Sequence, residues 1–339
     1  MSNYILITGA GGEFGHGLIT TLQKQRKTNI IALDLNPLPK ELADNCVETY
    51  YGNILDSELI AQIFSKYSFS EIYHLAALLS TSAEKMPEKA YDVNVNGTLQ
   101  LLSKANQQAI QNNTITKFIF CSTIAVYGLP DLKTKAENIK VKEEQFLQPI
   151  TMYGVNKLAC EQLGIYYTKH YKQLDPEKKA SNIDFRCIRF PGVISAFTIP
   201  TGGTSDYAPE MIHAAAKSQA YKCFVREDVT IPFITMPEAI NALINLAEAD
   251  KKKLTSTFYN ISGFSVSAKQ IFELVKKAFP DATISFEPHL ARQTICDSWP
   301  MDVDDSKAKA DWNYKPTYTI EQAFSDYLIP NIATLYSKK

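Results

Sequence analysis

Short apolar runs alternate with amphipathic stretches through the first two-thirds of the chain. Tyr4–Thr8, Asn29–Asp34, Glu71–Ala76, Lys117–Ser122 and Asp184–Phe190 are compact runs rich in branched apolar residues. Between them, Gly15–Gln25, Leu55–Tyr67, Pro87–Gln111 and Tyr153–Tyr171 carry apolar residues at helical spacing. Strands that read as nearly unbroken apolar runs are buried on both faces, as in parallel sheets covered by helices. The alternation therefore predicts an α/β fold: a doubly wound parallel sheet with helices on both faces.

The rhythm changes after Pro191. Pro200-Thr201-Gly202-Gly203 reads as a loop, followed by helices over Glu210–Ser218, Pro237–Ala249 and Ala268–Ala278. Thr230–Met236 is apolar, and Thr283–Glu287 reads as a strand. The expected organisation is a nucleotide-binding domain over 1–190, with a returning segment near 230–250. A smaller mixed lobe for substrate, mainly 191–339, completes the chain.

Composition narrows the function. A net charge of −1 gives no field to attract nucleic acid or anionic membrane. No apolar run approaches the ~20 residues that span a bilayer, and with the first strand starting near Tyr4 no signal peptide is expected within the given sequence. Cys46, Cys121, Cys160, Cys187, Cys223 and Cys296 are widely spaced without a CxxC pair, which suits free thiols in a reducing compartment. A cytoplasmic protein binding a small molecule is expected. The histidines His16, His74, His170, His213 and His289 have no metal-binding spacing, so no metal is expected.

The first strand runs into Gly9-Ala10-Gly11-Gly12-Glu13-Phe14-Gly15, a G-x-x-G-x-x-G loop opening a helix. Glycine lets the backbone approach a pyrophosphate, and the helix N-terminus meets its charge. Strand–loop–helix context makes this the dinucleotide loop of a Rossmann sheet. The second strand ends at Asp34, where a carboxylate accepts ribose hydroxyls and repels a 2′-phosphate; NAD is the expected cofactor. Asn53 and Ile54 fall beside the adenine, and the small residues of Leu75-Ala76-Ala77, read as a strand end, pass near the phosphates. Tyr153 and Lys157 stand four apart on one helix face. A phenol of ordinary pKa ~10 is a poor base at neutral pH, and a neighbouring ammonium makes it a better one. Ser122 and Thr123, ending a strand, supply hydroxyl donors.

Together these residues resemble the extended short-chain dehydrogenase/reductase superfamily. Within it the chain is similar to the short-chain type L-threonine 3-dehydrogenases over nearly its whole length. The resemblance is carried by His74-Leu75-Ala76-Ala77-Leu78-Leu79-Ser80, Ser122-Thr123-Ile124-Ala125-Val126-Tyr127-Gly128 and Tyr153-Gly154-Val155-Asn156-Lys157. It continues in Arg189-Phe190-Pro191-Gly192-Val193-Ile194-Ser195, Gly202-Gly203-Thr204-Ser205-Asp206-Tyr207-Ala208 and Asp297-Ser298-Trp299-Pro300 with Asp304-Asp305. The resemblance implies NAD-dependent oxidation of L-threonine at C3, with Tyr153 as base, Lys157 as its activator and ribose ligand, and Thr123 with Ser122 on the reacting oxygen. It adds Phe14 and Asn94 to the cofactor contacts and implies Ser80, Gly192, Thr204, Asp206 and Trp299 for the amino acid. It also implies a homodimer through two long helices.

Three departures stand out. Asn53 replaces a common aspartate, Thr201 replaces a third glycine, and Thr235-Met236-Pro237-Glu238 replaces a stretch ending in aspartate, so Glu238 is read as structural. Two other functions share parts of the pattern. A sugar-nucleotide epimerase or dehydratase would need cations for a pyrophosphate, to which Arg292 could contribute. A non-catalytic NAD(H) sensor would carry a disabled catalytic set, whereas Thr123, Tyr153 and Lys157 are intact.

Overall fold

The structure, a computed structural model, describes residues 4–177, 180–200 and 202–337. Thr201 lies outside the described residues. A seven-stranded sheet contains β1 (Tyr4–Thr8), β2 (Asn29–Asp34), β3 (Glu48–Tyr51), β4 (Phe69–His74), β5 (Thr116–Thr123), β6 (Ile183–Phe190) and β7 (Phe258–Asn260). Their order is β7-β6-β5-β4-β1-β2-β3. The pairs β1–β2, β2–β3, β1–β4 and β4–β5 are parallel. This is the expected doubly wound sheet, and its strand order reverses between β1 and β4. Such a switch point opens a crevice at the strands' C-terminal ends.

Helices α1 (Glu13–Arg26), α2 (Ser57–Lys66), α3 (Gly97–Gln111) and α4 (Met152–Ile165) are interleaved with these strands. Ile5, Leu6 and Ile7 of β1 and Ile30, Ile31 and Ala32 of β2 are buried, as double-sided coverage requires. One core joins Leu6, Ile31, Ile60, Ile63, Ile72, Leu101, Leu102, Phe118 and Phe120 with Phe185. Each such side chain contributes about 1.5–3 kcal/mol on burial.

The stretch expected to be one helix over Pro87–Gln111 is three successive helical pieces, with a π-helical turn at Asp92–Asn96. Likewise, α4 passes into a π-helical turn at Tyr166–His170. Strand β4 ends at His74, so Leu75–Ala77 lie just beyond the strand rather than closing it. The second-strand ladder extends to β3, a short polar strand without an apolar signature.

Two compact units are interwoven along the chain. The first gathers the described residues of Met1–Ser122, Val155–Ile188 and Ile240–Tyr259; the second gathers those of Thr123–Gly154, Arg189–Ala239 and Asn260–Lys339. In the second unit, strands Gly192–Ile194, Thr230–Thr235 and Phe264–Ser267 form a small sheet. The helices α5 (Tyr207–Ala216) and α6 (Leu290–Ser298) belong to this unit.

Candidate active site

In the first unit the loop after β1 has no room for a side chain at Gly9 or Gly15. Gly9 has φ +69°, and a Cβ there would lie 2.7 Å from the Ala76 nitrogen. A Cβ on Gly15 would stand 2.4 Å from the Ala10 carbonyl oxygen. Gly12 is the N-cap of α1 and offers no side-chain cap, so the helix start presents backbone alone. These are the features of a phosphate-binding turn.

The carboxylate at the end of β2 is fixed by backbone donors. Asp34 Oδ2 accepts the Gly11 N–H at 2.9 Å, and Oδ1 accepts the Asn36 N–H at 3.0 Å. Asn53 Oδ1 accepts the Leu55 N–H, and buried Ile54 packs against Gly97. Asn94, in the π-helical turn, holds the segment after β4: it accepts the Leu78 N–H at 2.8 Å and donates to the Leu78 carbonyl at 3.0 Å. Ser80 begins the short helix that follows.

His74 is buried, its ring bonded to Thr8 Oγ1 at 2.7 Å and Thr98 Oγ1 at 2.9 Å. Burial, and then the nearby Lys157 charge, pull its pKa down to about 3, so it is a neutral core residue. The tyrosines at 166, 167 and 171 pack on one another's rings.

Lys157 is 4% exposed, and its Nζ donates to the Cys121 carbonyl at 2.7 Å. The ammonium also sits 4.5 Å from the centre of the Phe120 ring. A carbonyl and a ring face are what a buried cation needs in place of water. The Ser122 hydroxyl donates to buried Glu161 Oε1 at 2.6 Å. Sequence reasoning passed over Glu161, although its position four residues after Lys157 on the same helix was a usable signal.

In the second unit, Thr123 Oγ1 accepts the Ala125 N–H at 3.1 Å and caps a turn over Ile124–Val126. The start of α4 rests on that turn. A Cβ at Gly154 would fall 2.1 Å from the Ala125 carbonyl oxygen, so glycine is what lets this contact form. The half-buried Tyr153 is its immediate neighbour.

Asp206 immediately precedes α5 without capping it through its side chain. Its Oδ2 instead accepts the N–H groups of Gly202 (3.0 Å) and Gly203 (2.7 Å). Arg292 donates to the Gly202 carbonyl and lies 4.3 Å from the Phe224 ring centre, which ties it to this loop. Thr204 is buried, and Gly192 is pressed against Phe233. Trp299 is 6% exposed, and its indole N–H finds no partner among the described residues. Glu238 holds four groups: Thr235 N–H and Oγ1, and the N–H groups of Thr317 and Tyr318. Among the described residues, no group of three or more His, Cys, Asp or Glu could hold a metal ion.

A parallel sheet with a glycine turn after its first strand, an acid closing its second and a helix bearing Tyr and Lys define the class of dinucleotide-dependent short-chain dehydrogenases and their kin. The model of the NAD dependent epimerase/dehydratase family matches residues 5–262, and the chain belongs to that family. Its relatives include the mitochondrial L-threonine 3-dehydrogenase of Bos taurus, 30% identical over 96% of this chain and 81% of that protein. Among solved structures, a monomeric L-threonine 3-dehydrogenase of metagenomic origin superposes with TM-score 0.85, at 33% identity over 98% of this chain and 99% of the other. The holo form of a Cupriavidus necator L-threonine dehydrogenase gives TM-score 0.84, at 32% identity over 97% and 99%.

Proposed function

We propose that the protein is an NAD-dependent L-threonine 3-dehydrogenase, converting L-threonine to L-2-amino-3-oxobutyrate. The observation that carries this reading is the end-to-end likeness to enzymes of that name, over a chain that keeps Thr123, Tyr153 and Lys157.

The glycine cradle of Gly9, Gly12 and Gly15 and the fixed carboxylate of Asp34 fit NAD. Gly9, Gly12, Phe14 and Gly15 would hold the pyrophosphate, Asp34 the adenosine ribose, Asn53 and Ile54 the adenine, and Leu75, Ala76, Ala77 and Asn94 the wall beside it. Bound NAD+ supplies the two-electron acceptor. Tyr153 takes the proton of the threonine C3 hydroxyl as that carbon becomes a carbonyl. Lys157, one helical turn away, would stabilise the phenolate and hold the nicotinamide ribose. The Thr123 hydroxyl would donate to the reacting oxygen, while the buried Ser122 hydroxyl donates to Glu161 instead.

Ser80, Gly192, Thr204, Asp206 and Trp299 would hold the amino acid. Asp206 suits its ammonium. The indole N–H of Trp299 suits an acceptor on the substrate, since a buried donor left unpaired costs about 1–3 kcal/mol.

We also propose a homodimer through α3 and α4, which leave Leu99 and Val155 exposed. The six cysteines, none of them in a disulfide, suit a reducing compartment such as the cytoplasm. Among the described residues, no helix is long and apolar enough to cross a membrane.

The test follows NADH absorbance with purified protein, NAD+ and L-threonine at alkaline pH, then with a UDP-sugar. NADH is expected from threonine, with kcat lowered about 10²–10⁴-fold in Tyr153→Phe. Turnover of the UDP-sugar with threonine ignored would overturn the assignment. So would tight NAD binding without any turnover.

A further inference from the structure

Tyr153, Lys157 and Glu161 occupy successive turns of α4 and share one stripe of the helix. Lys157 is nearly buried and Glu161 fully buried. Two hydrogen bonds join this stripe to consecutive residues at the end of β5. Lys157 Nζ donates to the Cys121 carbonyl at 2.7 Å, and Ser122 Oγ donates to Glu161 Oε1 at 2.6 Å. The next residue along β5 is Thr123.

A carboxylate withdrawn from water is costly unless hydrogen-bonded, and a hydroxyl donating to a carboxylate forms one of the stronger bonds available. An apolar residue would fill the same space at less cost. The buried acid therefore gives something that packing alone does not: a short, directional tie between a helix and a strand end that are 39 residues apart at the bonded pair.

We propose that Glu161 is a positioning residue, which acts through Ser122 to hold the end of β5 in register with α4 and so sets the Thr123 hydroxyl relative to Tyr153. This rests on the dehydrogenase reading, in which both groups address one substrate oxygen. A displacement of about 1 Å in such a pair costs on the order of a hundredfold in rate.

The experiment compares Ser122→Ala, Glu161→Leu, Glu161→Gln and the double variant S122A/E161L with the wild-type enzyme. Leucine removes the acceptor, whereas glutamine keeps a carbonyl oxygen for Ser122. S122A and E161L should each lower kcat roughly 10–100-fold, with KM for NAD within about threefold. The double variant should be no slower than the slower single one, because both remove the same bond. E161Q should recover most of the lost rate.

Hydrogen exchange of the peptide spanning 152–158 gives a second readout that needs no substrate. It should quicken in S122A and E161L and stay near wild type in E161Q. Exchange unchanged in S122A and E161L, kcat losses that multiply in the double variant, or a folded S122A with wild-type kcat would each overturn the proposal. A wild-type enzyme inactive on threonine would sink the dehydrogenase reading instead, and the exchange result would still decide the tie.

Discussion

The carboxylate of Asp34 has both oxygens held by backbone N–H groups, so the ribose contact proposed for it would need no prior ordering of the side chain. Each hydrogen bond to a charged group contributes about 1.5–3 kcal/mol. Asp34→Ser should therefore raise KM for NAD+ roughly tenfold to a hundredfold and narrow the preference over NADP+, as read from initial rates with the two cofactors. His74 belongs to the same scale. Its folded pKa, about 3, lies below the ordinary 6.5 of an exposed histidine. Its contribution is complete above pH 6.5, where both folded and unfolded forms are neutral. As pH falls from 6.5 toward 3, the unfolded chain takes a proton that the folded one refuses, and stability drops by about 1.4 kcal/mol per pH unit from this group. Urea unfolding between pH 4 and 6 should show a shallower loss in His74→Gln than in wild type; equal slopes would refute the burial argument. The residues legible in the sequence were those with a local spacing: the glycines at 9, 12 and 15, Asp34 at a strand end, and Tyr153 with Lys157. Glu161 carries a local signal too, one turn after Lys157, but its tie to Ser122 is remote in sequence and only the fold brings the two together.

At the scale of elements, strand β2 and the helix over Ala268–Ala278 begin and end where the apolar pattern places them. Ser267 and Gln270 form a capping box at that helix start, a local signal that fixes the boundary. The π-helical turns at Asp92–Asn96 and Tyr166–His170 could not be read. A single widened turn leaves the apolar face of a helix almost in place, so periodicity is blind to it. Strand β3 escaped because its Glu48, Thr49 and Tyr51 are not apolar, and its pairing with β2 is what makes it a strand. One close glycine contact is a test of the loop. Gly15→Ala would drive a methyl group to 2.4 Å from the Ala10 carbonyl, so α1 must shift. Overpacking of this kind costs about 1–3 kcal/mol. The expected outcome is a lowered Tm together with weakened NADH binding by fluorescence titration. Unchanged binding would mean that the turn does not cradle the cofactor.

For the whole molecule, the sequence made the doubly wound sheet legible because five buried strands carry their own apolar signature. The second unit was harder to read. Its small sheets use short strands such as Gly192–Ile194, and its order depends on remote polar ties such as Glu238 to Thr317 and Tyr318. Oligomeric state belongs to this scale as well. Sedimentation equilibrium should return twice the chain mass, and Val155→Glu should return the chain mass, if α3 and α4 pair between copies. A monomeric relative makes the opposite result informative.

The account depends above all on Tyr153 acting as the base while C3 of threonine is oxidised. L-threonine carrying deuterium at C3 addresses this directly, with the reduced cofactor analysed by mass. Wild-type enzyme is predicted to place the deuterium in the reduced cofactor, and Tyr153→Phe to form almost none. Label-bearing cofactor formed by the phenylalanine variant at the wild-type rate, or unlabelled cofactor from the wild type, would contradict the account.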